Sequence, residues 1–314
     1  MFNFKSIADL LKSEQPPKVN AALAADFKQM ALMRRYVPYL RDFKLNQTSL
    51  QAGDSRSAFK GRGIEFEEVR AYNYGDDVRD IDWRVTARKN QPFTKLYNEE
   101  KDREVYIWLD LSAKMRFGTK HELKSVTAAK TAALIAWYAL ENKDRVGMAV
   151  FDGNKTLIFE PKRTVDNLFA VFKQIEKIAA ESLYQTNESG SAIKSLKLLQ
   201  QKAKHRAIVF VVGSFTDMEA ESSALLSAFA RNHELYLINV FDELEDKAPP
   251  AGEYLAQYHN QKQLLAVSGK AFAEDYRQYF AEKRQKIKKF CAKINCRYRE
   301  VRADLPIYKQ IKPV

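Results

Sequence analysis

From about residue 104 onwards, short apolar runs alternate with longer segments in which apolar residues recur every three or four positions. Short apolar runs bounded by turn residues predict buried strands, and the three-to-four spacing predicts amphipathic helices. The predicted strands are EVYIWLDL (104–111), RVGMAVFDG (145–153), TLIFEP (156–161), HRAIVFVVGSF (205–215), ELYLINVF (234–241) and a candidate last strand, CRYREV (296–301). The predicted helices span 119–142, 165–179, a segment beginning near 192, 218–231 and 271–293.

Strands that alternate with helices predict an α/β protein with a doubly wound, mainly parallel sheet, because parallel strands need crossover connections. In such sheets, binding sites form at the carboxyl ends of the strands. Asp110 and Ser112 follow one predicted strand there, and Ser214 follows another. Thr119 and Glu122 have the spacing of a capping box, which predicts the start of the first long helix.

Residues 1–103 do not share this rhythm. Residues 21–44 predict helix with a break at Pro38, and IEFEEVRAY and FTKLYNEE predict two short strands separated by turn residues. We therefore predict three regions: an N-terminal helical arm (1–50), a small β-containing module (51–103), and an α/β domain with an extended C-terminal helix (104–314).

Composition adds little to this picture. The 314 residues are 46% hydrophobic and 29% charged, as in ordinary globular proteins. No stretch approaches the roughly 18 unbroken apolar residues of a membrane span, and the first residues interleave charge with apolar side chains rather than forming a signal peptide. The sequence predicts a cytoplasmic protein. Its two cysteines, Cys291 and Cys296, are predicted to be reduced structural thiols.

The net charge of +12 favours anionic partners. The densest basic run, EKRQKIKKFCAKINCRYR, lies on the predicted C-terminal helix. It is interpreted either as a solvated helix face or as a binding surface for membrane or nucleic acid. We expect no stable nucleic-acid binding, and leave open a peripheral contact with an anionic membrane such as the inner membrane.

A charged and aromatic segment, residues 61–88, contains the most specific pattern in the chain. It follows G-x-G-x-E-F-x-x-x-R-x-Y-x-x-G-D-D-x-R-x-I-D-W-R-x-x-A-R. The matching residues are Gly61, Gly63, Glu65, Phe66, Arg70, Tyr72, Gly75, Asp76, Asp77, Arg79, Ile81, Asp82, Trp83, Arg84, Ala87 and Arg88. This segment resembles the signature of the bacterial "domain of unknown function 58" family. The Asp-x-Ser step at 110–112 and the run Asp144-Arg145-Val146-Gly147 also match, so the resemblance covers about residues 58–245.

The resemblance implies a von Willebrand factor A-like α/β domain joined to the signature module. It also implies a partnership with a MoxR-type AAA+ ATPase, its client protein, or both, in chaperone-like maturation or assembly. The expected function is therefore that of a non-enzymatic adaptor.

Such A-like domains often contain a metal-ion-dependent adhesion site, with the pattern Asp-x-Ser-x-Ser, a later Thr and a later Asp. Its hydroxyl and carboxylate oxygens suit Mg²⁺. In this chain Asp110 and Ser112 are present, Ser191 can stand for the Thr, Lys114 replaces the second Ser, and Ser214 stands where the later acid is expected. Asp217, three residues further on, and Asp152, which follows another strand, could each substitute in part, but neither is in the expected place.

Two interpretations of Lys114 follow. Its ammonium group either takes the place of the metal and pairs with Asp110, so that no cofactor is bound, or extends into solvent and leaves a weak Mg²⁺ site. We favour the first, because losing a carboxylate and adding an ammonium both weaken the binding of a divalent cation.

The charges of the signature also have two interpretations. They form either a structural network or a surface that binds a partner, and Trp83 is predicted to be a core residue. The network would join Arg70, Arg79, Arg84 and Arg88 to Glu65, Asp76, Asp77, Asp80 and Asp82.

Enzyme motifs are absent from the sequence. There is no G-x-x-x-x-G-K-[ST] and no H-E-x-x-H, and the four histidines are scattered. We therefore predict that the protein is not an enzyme. The alternatives are a metal-dependent hydrolase and a basic-surface binder of membrane or nucleic acid.

Overall fold

The structure is a computed structural model, and it describes residues 20–40, 64–74, 76–99, 103–184, 190–204, 206–215, 220–258 and 261–310. The chain forms two units, one of residues 45–102 and one of the remainder. Gly61, Gly63, Gly75 and Asp217 lie outside the described residues.

The N-terminal segment groups with the larger unit. It forms helix α1 (Phe27–Leu32), followed by a 3-10 helix (Met33–Leu40) that contains Pro38. The Phe27 ring lies 5.2 Å from the Phe169 ring, and the Trp137 indole N–H donates to Met30 O at 3.2 Å. Residues 20–40 therefore pack on the α/β unit, while the predicted boundaries at 50 and 103 stay a prediction.

The smaller unit is a two-stranded hairpin with a short helix between its strands. Strand β1 (Ile64–Ala71) pairs antiparallel with β2 (Phe93–Glu99). Between them lie a 3-10 helix (Val78–Asp80) and helix α2 (Trp83–Lys89). The signature segment therefore supplies the first strand and the helix of this unit.

The larger unit contains a six-stranded sheet. Its strands are β3 (Glu104–Asp110), β4 (Arg145–Phe151), β5 (Thr156–Lys162), β6 (Ile208–Gly213), β7 (Glu234–Phe241) and β10 (Arg297–Arg302). Their order in the sheet is β10-β7-β6-β3-β4-β5. All neighbouring pairs are parallel except β4 and β5. The predicted mixed α/β fold with a mainly parallel sheet is confirmed.

The helices of this unit are α3 (Lys124–Glu141), α4 (Val165–Ser182), α5 (Ala192–Lys202), α6 (Ala220–Asn232), α7 (Gly269–Lys293) and α8 (Ile307–Gln310). Tyr106 and Trp108 of β3 point to a core shared with apolar residues of α5, α6 and α7. Helix α3 contacts β3, β4, β6 and β7 and is buried on most of its surface, which explains its alanine-rich sequence.

Two features differ from the sequence expectation. A separate hairpin, β8 (Gly252–Tyr258) with β9 (Gln261–Val267), occupies a stretch where no strand was predicted. The predicted capping box is wrong, because α3 begins at Lys124 rather than after Thr119. Thr119 instead donates its N–H and its hydroxyl to the Asp242 carboxylate, at 3.0 and 2.8 Å.

Among the helices of the described ranges, none is long and apolar enough to cross a membrane.

Candidate functional site

The carboxyl ends of β3 and β6 meet at the middle of the six-stranded sheet. β3 ends at Asp110, which is fully buried, and β6 ends at Gly213. A Cβ atom at Gly213 would lie 3.1 Å from Asp110 Cβ and 3.4 Å from its Oδ2. A side chain at position 213 would therefore crowd Asp110, which would have to shift by a few tenths of an ångström.

The Asp110 carboxylate has two different contacts. Its Oδ1 accepts a hydrogen bond from Ser112 N at 3.0 Å, which fixes the turn after the strand. Its Oδ2 lies 3.0 Å from Lys114 Nζ. Oδ2 accepts no hydrogen bond from the residues that the structure describes. This contact is therefore an ion pair held by charge.

Lys114 joins the ends of the two strands. It lies on a short 3-10 helix (Ala113–Met115), and its Nζ donates to Ser214 O at 3.2 Å. The Lys114 side chain is 49% exposed, whereas that of Asp110 is 0% exposed. A half-exposed lysine therefore neutralises a fully buried carboxylate.

A second lysine, Lys124, lies behind the first. This residue is 4% exposed, its Nζ lies 3.0 Å from Glu245 Oε2, and it donates to Ser214 Oγ at 3.5 Å. Both ammonium groups thus contact Ser214. Lys124 and Glu245 were not predictable from the sequence, because nothing local marks the first residue of a helix as the partner of an acid 121 residues away.

Asp242 directly follows β7 and is linked to Lys124 through Glu245. This fully buried residue begins a 3-10 helix (Glu243–Glu245), and Glu245 Oε2 accepts from Asp242 N at 2.9 Å. At the rim, Lys120 pairs with Glu243, and this hydrogen bond raises the pKa of Lys120 above its ordinary value. We call this group the strand-end site; it consists of Asp110, Ser112, Lys114, Lys124, Ser214, Asp242 and Glu245. Its acidic and basic side chains alternate and are held by short contacts.

Asp110, Ser112, Lys114 and Ser214 lie together in the structure, whereas Ser191 has a different role, as a helix cap. The Ser191 hydroxyl accepts from Lys194 N at 3.4 Å and so caps α5. Asp152, one of the two nearby acids, accepts from Asn154 N and Lys155 N, both at 2.8 Å, within its own turn. Its carboxylate therefore serves the turn between β4 and β5.

These residues do not fit a divalent cation beside Asp110. The Lys114 ammonium stands next to Oδ2, where the ion would bind, and Ser214 rather than an acid follows β6. In the part of the chain that the structure describes, no three His, Cys, Asp or Glu side chains are grouped to hold a metal.

In the smaller unit, the acids of the signature fix the backbone. Asp76 pairs with Arg70 at 2.8 Å and accepts from Asn73 N at 2.9 Å. Asp77 caps the 3-10 helix, and Asp82 caps α2 by accepting from Arg84 N and Val85 N. Tyr72 is half-buried and its N–H donates to Pro92 O at 2.8 Å, which supports the hairpin.

The expected charge network is therefore only partly formed. Arg70 is part of it. Arg79, Arg84 and Arg88 are exposed, and none of them has an ion pair with a residue whose side chain the structure describes. The side chain of Glu65 lies outside the described part. The prediction that Trp83 is a core residue is wrong, since Trp83 is 67% exposed. It lies on the outer side of α2, whose other side faces the hairpin.

Comparisons with known proteins give a family and several uncharacterized relatives. The model of a family described as "Protein of unknown function DUF58" matches residues 68–288. The uncharacterized proteins Rv1480 of Mycobacterium tuberculosis and Mb1516 of Mycobacterium bovis are each 27% identical over 205 residues, 65% of this chain. The match spans 63% of the length of these relatives.

Among solved structures, the conserved hypothetical protein BatB from Bacteroides thetaiotaomicron aligns with a TM-score of 0.34 and 15% identity. The alignment covers 62% of this chain and 98% of that protein. A likeness of this size supports no conclusion about fold or function.

Proposed function

Given that this chain belongs to the DUF58 family of proteins of unknown function, we propose that it is a non-enzymatic protein-interaction module that binds an acidic group of its partner at the strand-end site. The partner is a MoxR-type AAA+ ATPase, its client, or both, and the role is that of an adaptor in chaperone-like assembly. The identity of the partner and a von Willebrand A-like relationship of the α/β unit rest on the sequence resemblance.

The observation that supports a binding role is the position of Lys114. An ammonium group has three N–H donors. In this site one side of the group faces Asp110, another N–H donates to Ser214 O, and about half of the side chain remains exposed. A carboxylate from a partner can therefore approach the remaining donor from solvent without displacing either internal contact.

We further propose that this site is a degenerate metal-ion-dependent adhesion site that binds no metal. In the metal-dependent form, a divalent cation links the protein's oxygens to an incoming carboxylate. Here the Lys114 ammonium, anchored on Asp110, would make that link directly. The Lys114 side chain is already held by Asp110, so it loses little conformational entropy when a partner binds, which favours recognition of an anion.

Calorimetric titration tests the absence of a metal. The chelator-treated protein and the variant Lys114→Ser/Ser214→Asp are titrated with Mg²⁺ and with Mn²⁺. We expect no binding by the native chain and measurable binding by the variant, which restores two oxygen ligands. Tight binding by the native chain would instead make a metal-bridged contact, or a metal-dependent activity that requires Asp110, the leading hypothesis.

Binding of a purified MoxR-type ATPase tests the partner. Lys114→Glu is expected to weaken this binding strongly, because it reverses the charge that faces the partner. Lys204→Glu is the matched control: Lys204 also pairs with a buried acid, Glu104 at 2.7 Å, but at the amino-terminal edge of the sheet. Equal binding by the native protein and Lys114→Glu would contradict a role for this site.

A second candidate function is binding to an anionic membrane, and one observation favours it. Lys286, Lys289 and Lys293 are exposed along α7 at spacings of three and four residues, and none pairs with an acid among the residues that the structure covers. Lysines on one helix face attract anionic lipid. This function does not exclude the first, because α7 and the strand-end site use different residues.

A further inference from the structure

The outer side of α2 in the smaller unit combines an exposed tryptophan with exposed arginines. Trp83, Arg84, Ala87 and Arg88 are all exposed, whereas Val85 and Thr86 are half-buried. These four exposed residues form the α2 face. They lie on one side of the helix, because positions 83 and 87 and positions 84 and 88 are four apart and positions 84 and 87 are three apart. Arg79 and Val78 are exposed on the preceding 3-10 helix.

The α2 face is held rigidly by the hairpin beneath it. Asp82 caps the helix, and its own N–H donates to Phe93 O at 2.8 Å. On the inner side, the Thr86 hydroxyl accepts from Phe93 N at 3.0 Å. The Lys89 ammonium lies 4.9 Å from the centre of the Phe93 ring. Because the backbone of this short helix is already fixed, binding of a partner to its outer side chains requires no further ordering of the backbone.

The fold gives the arginines of this face no evident structural role. Arg84 and Arg88 have no hydrogen bond or ion pair from their side chains to any described residue, and the same holds for Arg79. Trp83 exposes two thirds of its surface. Arginine and tryptophan are the residue types most enriched where protein partners bind tightly. An exposed indole beside guanidinium groups that have no partner among the described residues therefore indicates an interaction surface.

We propose that the α2 face is a docking surface for an acidic protein segment, one that places carboxylates beside Arg84 and Arg88 and an apolar side chain against Trp83. The two arginines are one helical turn apart, and a guanidinium group binds a carboxylate through two parallel hydrogen bonds. This surface is distinct from the strand-end site, and the proposal does not rest on the role of Lys114.

Charge favours this occupant over the alternatives. The chain as a whole has a net charge of +12, so an acidic complement is more readily found on another molecule. A nucleic acid fits less well, because residues 70–89 contain four acidic residues against five basic ones. Such a mixed surface repels a continuous row of phosphates but suits a protein with carboxylates at fixed points.

The tryptophans allow the exposed face to be tested directly. The chain has three, and Trp108 and Trp137 are 1% and 2% exposed, so collisional quenching of fluorescence reports mainly on Trp83. With the quenching by each ion divided by its quenching of free N-acetyltryptophanamide, iodide should quench Trp83 more strongly than caesium, because the arginines attract anions. Arg84→Glu/Arg88→Glu should reverse this order. Equal normalised quenching by both ions in the native protein would show that no cationic face surrounds Trp83.

Binding of defined probes tests the occupant. The full chain is titrated with a fluorescein-labelled peptide in which glutamates at helical spacing flank leucine, with the same peptide carrying glutamine, and with single-stranded DNA. We expect the glutamate peptide to bind best, and Trp83→Ala and Arg84→Glu/Arg88→Glu each to weaken it about tenfold. Lys114→Glu, measured in parallel, reports any contribution of the strand-end site separately.

The matched control is Lys289→Glu/Lys293→Glu. These lysines are exposed, unpaired among described residues and four apart on a helix, as are Arg84 and Arg88. The control changes net charge equally and should bind the glutamate peptide like the native chain. Equal loss in both double variants would mean non-specific attraction, and tighter binding of DNA or equal binding of the glutamine peptide would also overturn the proposal.

Discussion

At the scale of single residues, the Asp110–Lys114 pair is asymmetric, because only the acid is buried. Removing the lysine leaves an uncompensated buried charge, which is costly, whereas removing both charges is less so. We expect Lys114→Met to lower the free energy of unfolding by about 1–3 kcal/mol, and Asp110→Asn/Lys114→Met to recover part of that loss. Denaturant unfolding of the two single variants and the double variant measures the coupling.

The control for this cycle is a pair exposed on both sides. Lys202 and Glu160 lie 3.4 Å apart, with both side chains more than half exposed. Lys202→Met should change stability by less than about 0.5 kcal/mol. If Lys114→Met were as harmless as Lys202→Met, the Lys114 ammonium would not be compensating the buried Asp110.

Gly213 gives a second prediction at this scale. An alanine Cβ there would meet Asp110 Cβ at 3.1 Å, so Gly213→Ala must displace the site's central acid. We expect a loss of stability of about 1–3 kcal/mol and weaker partner binding. Gly252→Ala is the control, since its Cβ would meet the Tyr254 ring no closer than 3.6 Å, and thermal unfolding compares the two. Equal melting temperatures would refute the close approach.

Sequence alone placed Asp110, Ser112, Lys114 and Ser214 at one edge of the sheet, because the ends of adjacent parallel strands meet there. It did not predict that Lys124 belongs to this group, because its partner Glu245 is distant in the sequence. It also did not predict that Trp83 is exposed. A tryptophan next to charged residues is equally consistent with a core position and an exposed one, because a seven-residue helix shows too few positions to define its buried side.

At the scale of elements, the end of β10 gives a pH-dependent contact. Arg302 donates from Nε and Nη2 to the Asp304 carboxylate at 2.9 and 2.7 Å, and this hydrogen bonding lowers the pKa of Asp304. A lowered pKa in the folded state stabilises it above the unfolded pKa, near 3.8, and this contribution is lost as the pH falls through the folded value.

Asp304→Asn should therefore lower the free energy of unfolding by about 1–2 kcal/mol at neutral pH, with the difference from the native chain shrinking in acid. Denaturant unfolding between neutral pH and pH 3 measures this difference. Asp275→Asn, an exposed change on α7, is the control and should differ little from the native chain at any pH. A constant difference for Asp304→Asn across the range would show that the carboxylate charge is not involved.

The helices and strands of the large sheet were predictable because their apolar periodicity is local. The hairpin of β8 and β9 was not, since Leu255 and Leu264, paired across it, are 66% and 61% exposed and give no pattern of inside and outside. The start of α3 was predicted too early for another reason. Thr119 is a good capping residue, but its hydroxyl donates a hydrogen bond to the Asp242 carboxylate instead.

At the scale of the whole molecule, the net charge of +12 and the α7 lysines predict attraction to anionic bilayers. Sedimentation with phosphatidylserine vesicles should retain the protein at low salt and release it as salt rises. Lys289→Glu/Lys293→Glu should reduce retention, while Arg84→Glu/Arg88→Glu, with equal net charge, should not. Retention that depends on net charge alone would argue against a membrane role for α7.

The strand order has a consequence for how the chain reaches its fold during synthesis. β3, made first, lies inside the sheet, and β4 and β5 then extend one side while β6, β7 and β10 extend the other. Each newly made strand can therefore add to an open edge that already exists, and no strand has to be inserted between two earlier ones. The nascent sheet grows outward from β3, so it has two open edges at every stage, and the β6-facing edge of β3 can pair wrongly until β6 has been made.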